Sequence, residues 1–108
     1  MNAPSAKDLN LARQVKQRLN EKIKITDFRI YGSRARGDAD WDSDLDLYIE
    51  VPSITKEERK FINSVAWEVG LENDLVITPV IVSKEQLVNT PFTATTFYQT
   101  IEQEGIKL

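Results

Sequence analysis

Neither cysteine nor histidine occurs among the 108 residues of this chain. Disulfides, zinc centres, cysteine nucleophiles and histidine bases are therefore excluded, and carboxylates remain as the main metal ligands and proton acceptors. No apolar run approaches the ~20 residues that span a bilayer. The opening segment MNAPSAKDLNLARQ is too polar for the core of a signal peptide, so the expected location is the cytoplasm. Only four glycines and four prolines punctuate the chain, and no repeat, linker or low-complexity segment is present. An excess of basic residues is missing too: 14 Lys and Arg stand against 17 Asp and Glu, for a formal charge of -3. Binding a nucleic-acid backbone requires a basic face, and these cations are scattered, so protein or nucleotide partners fit better. The length implies one domain over residues 1–108, enough for a single core but short for holding both a nucleobase and a second substrate.

What the chain does carry is concentrated in YGSRARGDADWDSDLDLYIE. Gly32-Ser33 is followed, after ten residues, by Asp44-Leu45-Asp46. At ordinary abundances these four positions coincide by chance in roughly one chain in a thousand of this length. The run Thr26 to Tyr31 alternates like a strand before the glycine, and Leu45, Leu47, Ile49 and Val51 alternate after Ser43. A Gly-Ser loop after an apolar strand can wrap backbone N–H groups around a triphosphate. On a strand, residues two apart share a face, which sets Asp44 and Asp46 about 6 to 7 Å apart along the backbone, with Leu45 and Leu47 turned into the core. Facing carboxylates repel unless a cation lies between them, and magnesium is held by one or two carboxylates plus substrate phosphates. The spacing thus points to metal-dependent nucleotidyl transfer, with two ions serving the attacking and leaving oxygens.

Two blander readings explain less. A solvated turn accounts for Asp38, Asp40 and Asp42 in their Gly-Asp-Ala-Asp context, but not for Asp44 and Asp46 inside an apolar strand. A helix-loop-helix calcium loop counted from Asp38 has Ser43 where glycine is needed and Ile49 where glutamate is needed.

The remaining pattern predicts a helix over Lys7 to Asn20, a strand over Ile25 to Tyr31, and a short helical turn at Arg34-Ala35-Arg36. A helix from Lys56 to Val69 closed by Gly70, a strand from Asp74 to Val82 and a last helix opened by Thr90-Pro91 follow.

Gly32 to Gly37 followed by Ser43-Asp44-Leu45-Asp46-Leu47 resembles the signature of the minimal nucleotidyltransferases, relatives of DNA polymerase beta. The element order and the closing segment Phe97 to Ile106 extend the resemblance over nearly the whole chain. It implies an α/β (α+β) fold, a small mixed sheet of three or four strands with helices packed on it. Many such proteins are antitoxins encoded beside a HEPN-domain ribonuclease toxin. The resemblance implies transfer of AMP from ATP, with magnesium, to a tyrosine of that toxin in a hetero-oligomer. It also implies a third carboxylate on the strand after the second helix; Val76 is not acidic, so Asp74 is the candidate metal ligand and proton acceptor. Glu72 and Glu50 are weaker substitutes.

Ser33 is assigned to the beta and gamma phosphates, with a helix cap as its alternative, and Gly32 to close approach. Arg36 and Arg34 either neutralise phosphates or offset the aspartates as exposed cations. Trp41 is read as packing or partner contact ahead of base stacking, and Trp67 as packing at the margin of its helix. The alternatives in function are a non-catalytic antitoxin that masks its partner, a nucleotidyltransferase acting on a small-molecule or RNA hydroxyl, and a structural subunit of a larger transferase.

Overall fold

The computed structural model describes residues 3–108. Helix α1 (Ala6–Asn20) is capped by Ser5, whose hydroxyl accepts from the Asp8 N–H at 3.0 Å, and it buries Leu11, Ala12, Val15 and Leu19 at helical spacing. Strand β1 (Asp27–Tyr31) leads into the one-turn helix α2 (Ser33–Arg36), and strand β2 (Leu45–Val51) follows the acidic loop. Helix α3 (Lys56–Glu72) opens with a reciprocal capping box between Thr55 and Glu58. Strand β3 (Ile77–Ser83) is succeeded by α4 (Lys84–Asn89), a 3-10 turn (Pro91–Ala94), α5 (Thr96–Glu104) and the two-residue β4 (Ile106–Lys107).

The sheet is mixed, in the order β3-β2-β1-β4. β1 runs antiparallel to β2 and β4, and β2 runs parallel to β3 through the α3 crossover. Alternation assigns the faces. Phe28 and Ile30 of β1 and Leu45, Leu47, Ile49 and Val51 of β2 share one core with α1 and α3. The opposite face carries a smaller cluster in which Tyr48 and Val82 meet Ile101 of α5. The four-strand mixed sheet is the expected fold class.

Three boundaries differ from the sequence reading. Helix α3 passes through Gly70 instead of closing there, because that glycine is where the chain folds back: the Asn73 and Leu75 amides both donate to the Gly70 carbonyl, at 3.1 and 2.9 Å. β3 consequently begins at Ile77, after a turn that holds Asp74 at φ 53. Thr90-Pro91 opens only the 3-10 turn, and α5 has its own cap at Thr95, which accepts from the Tyr98 amide at 3.2 Å. The unpredicted α4 and β4 are too short for a periodic signal to emerge. Among the described residues no helix is long and apolar enough to cross a membrane.

Candidate active site

β1 ends at Tyr31, so Gly32 is the first residue free of the ladder, and it adopts φ 79, ψ -160, a region open essentially to glycine. A Cβ there would lie 2.6 Å from Oδ2 of Asp46. Glycine is thus demanded twice, by its dihedrals and by the carboxylate lying against it. Ser33 starts the turn of α2, which ends at Gly37 with φ 76. The antiparallel register places Tyr31 opposite Asp46, bringing the Gly32-Ser33 corner and the second aspartate to the same end of the sheet.

Asp44 stands just before β2 and is exposed; Asp46 is its second residue and half-buried. Burial, and secondarily the negative charge of Asp44, pushes the Asp46 carboxyl above its ordinary range, while Arg36 pulls it back. Asp46 therefore senses the charge of Asp44 across the strand pitch, as the alternation predicts. This donor set suits a hard divalent cation: two aspartates, one partly desolvated, are relieved by positive charge held between them.

The third predicted ligand does not join them. Asp74 was expected on a strand, but the tight return onto Gly70 forces it into the left-handed turn that aspartate tolerates. It lines a groove with Trp41 and Trp67 instead, and among the described residues no three Asp or Glu side chains gather around a metal position. The weaker substitutes are also engaged elsewhere. Glu72 accepts from Arg18 at 3.4 Å, and Glu50, buried further along β2, accepts from the Thr26 hydroxyl at 2.6 Å.

The β3 residue in register with Asp46 is Thr78, and its hydroxyl donates to Asp44 Oδ2 at 3.4 Å. Sequence reading missed it because parallel pairing cannot be deduced from either strand alone. Tyr31 was missed as well. Its ring meets Phe97 edge-on at 5.5 Å, and burial together with Asp46 pushes its hydroxyl up to about 12, so it stays protonated at neutral pH.

The two arginines divide their tasks. Arg34 is a brace: it donates to both oxygens of buried Asp8 at 3.0 and 3.2 Å, to the Ser43 carbonyl at 2.9 Å and to the Trp41 carbonyl at 3.2 Å. It ties the acidic loop to α1. Arg36 is half-exposed and bonds Asp38 at 3.2 Å and Glu104 at 3.1 Å, close enough to Asp46 to favour its charged form. Both tryptophans depart from packing, Trp41 being 91% and Trp67 68% exposed.

Comparison with known proteins shows the family and the fold. The family described as "Nucleotidyltransferase domain" matches residues 12–108. A protein of Methanocaldococcus jannaschii named "Putative protein adenylyltransferase" is 33% identical over 90 residues, covering 81% of this chain and 82% of its own. A crystal structure from Sulfolobus solfataricus, titled as that of a "putative nucleotidyltransferase", superposes with a TM-score of 0.55 at 15% identity, over 94% of this chain and 78% of the other. With a Gly-Ser corner against paired aspartates and a family match over most of its length, the chain belongs to the nucleotidyltransferase domain family.

Proposed function

We propose that this chain transfers AMP from ATP to a tyrosine hydroxyl of a cognate HEPN ribonuclease toxin, and so acts as its antitoxin. The observation that carries the transfer chemistry is the packing of Gly32 against Asp46, with Asp44 beside it, at one end of the sheet. Support for a protein acceptor comes from the name of the M. jannaschii relative. The tyrosine and the HEPN partner rest on the motif resemblance.

Asp44 and Asp46 would hold the magnesium, which when bound offsets phosphate charge and stabilises the departing pyrophosphate. Gly32, without a side chain, lets the corner lie against the Asp46 carboxylate, and Ser33 offers a hydroxyl and a backbone amide to the phosphates. In the transfer, the tyrosine oxygen forms a bond to the alpha phosphorus as the bond to the beta-phosphate oxygen breaks. Pyrophosphate leaves with the electron pair. The hydroxyl proton passes to the aspartate pair, the acceptor this face provides.

The test is incubation with magnesium, alpha-labelled ATP and the product of the adjacent gene, followed by label and mass. A gain in multiples of AMP on a partner tyrosine, lost in the Asp44→Asn/Asp46→Asn variant, is the expected result. An unlabelled partner held in a stable complex would replace catalysis with masking. Label on an aminoglycoside or an RNA end would overturn the acceptor.

A further inference from the structure

Among the described residues five large apolar side chains are exposed, and four of them converge on one groove: Trp41, Trp67, Leu71 and Val76. Their exposures run from 62% for Val76 to 91% for Trp41, whereas the fifth, Val88, lies elsewhere on α4. The groove runs between α3 and the outer edge of the sheet, where β3 has no further neighbour, and encloses about 370 Å³. Its floor is rigid. The backbone of the turn after α3 presses on Gly70, and the Val76 carbonyl accepts from the Leu45 amide at 2.9 Å, one residue from Asp44.

The rim is acidic. Asp42 and Asp74 line the groove, and the loop carrying Trp41 also exposes Asp38 and Asp40. A second copy of this chain would set the same acidic rim against itself in a two-fold contact. The phosphates of a nucleotide would meet like charge there. Exposed aromatic anchors bordered by carboxylates fit a protein surface that presents apolar side chains flanked by Lys or Arg. Because the groove floor is bonded to the start of β2, such a partner would be held beside the aspartate pair.

We propose that this groove is the docking site for the protein acceptor, which enters it with an apolar segment edged by basic residues. The assignment rests on the acceptor being a protein. Docking at the groove would also let this small domain orient a macromolecular substrate against its own surface.

The test uses the full chain and two synthetic amphipathic peptides of identical apolar face, one flanked by Lys and Arg and the other by Glu. Binding is followed without ATP through the indole N–H resonances of Trp41 and Trp67. The basic peptide is expected to shift both signals saturably and to bind at least ten times more tightly than the Glu peptide. Raised salt should weaken it. Trp67→Glu should abolish the remaining Trp41 shift and Leu71→Glu both shifts, whereas Val88→Glu, an equal charge outside the groove, should leave them intact. Unmoved indole signals would overturn the assignment. So would a self-dimer that Leu71→Glu dissociates, or magnesium-ATP shifting both indoles with affinity lost in Trp67→Glu.

The peptide experiment is independent of catalysis. Peptide binding with no label transferred to any protein would break the proposed activity and with it the acceptor assignment, leaving the groove as a peptide-binding surface; label transfer to a protein that Leu71→Glu does not impair would break the groove assignment alone.

Discussion

Toward α1 and α3, strands β1 and β2 present Phe28, Ile30, Leu45, Leu47, Ile49 and Val51; toward the other side the same strands present Asp27, Arg29, Tyr31, Asp46, Tyr48 and Glu50. The first face contains no polar side chain to satisfy. On the second, Arg29 is 5% exposed and needs Asp27 at 2.8 Å, Glu102 at 3.1 Å and the Ile101 carbonyl at 3.2 Å to offset its desolvation. Even so, among the described residues the Tyr48 hydroxyl is buried without a hydrogen-bond partner, and burial with Glu50 pushes its proton affinity up. The Asp46 carboxyl is likewise held in an environment that disfavours its charge. One pleated sheet thus separates the apolar core from the polar groups by alternation alone, and the groups out of balance gather on the second face.

The largest expected effect lies on the second face. Asp44→Asn/Asp46→Asn should lower AMP transfer by roughly 10³-fold, about 4 kcal/mol of transition-state stabilisation. Thermal stability in chelator should be unchanged or higher, since repulsion and desolvation of the pair are removed. Transfer assays check the first half and calorimetry with and without magnesium-ATP the second: ligand should stabilise the parent and not the variant. A variant that unfolds in chelator would make Asp46 a structural residue.

Leu47→Ala tests the other face and should behave inversely, costing about 3 kcal/mol of stability. Its turnover per folded molecule should remain near that of the parent, read by denaturant titration alongside transfer assays. Gly32→Ala joins the two faces' effects, because the new Cβ meets Asp46 in a backbone region that excludes it. A loss of about 1–3 kcal/mol with a tenfold or greater fall in transfer is expected; unchanged activity would show that the corner can move. Thr78→Val should be the mildest, below about 0.5 kcal/mol in stability. A change in the magnesium dependence of transfer, without a change in melting, would identify its hydroxyl as support for Asp44.

The sequence displayed the apolar face well, because period-two alternation and helical stripes are local signals that Leu45 to Val51 and Leu11 to Leu19 repeat several times. It displayed the Gly-Ser corner and the aspartate pair too, since fixed spacing along adjoining strands survives without knowledge of the fold. Asp74 misled because Asp74 to Val82 reads as one continuous strand, whereas the return of the chain onto Gly70 takes the first three of those positions into a turn. Thr90-Pro91 misled in the same way, as a good helix opening that the chain uses for one tight turn.

By itself, then, the sequence settled the chemistry available: no histidine or cysteine, a Gly-Ser corner after an apolar strand, and paired carboxylates on an alternating strand. Which residues surround that pair was decided only in three dimensions. Thr78 reaches Asp44 through the parallel register, Tyr31 faces Asp46 through the antiparallel one, and Trp41 meets Trp67 and Leu71 across a groove. Strand register and loop return join residues far apart in the chain, and their energies depend on packing between elements, which no local pattern encodes.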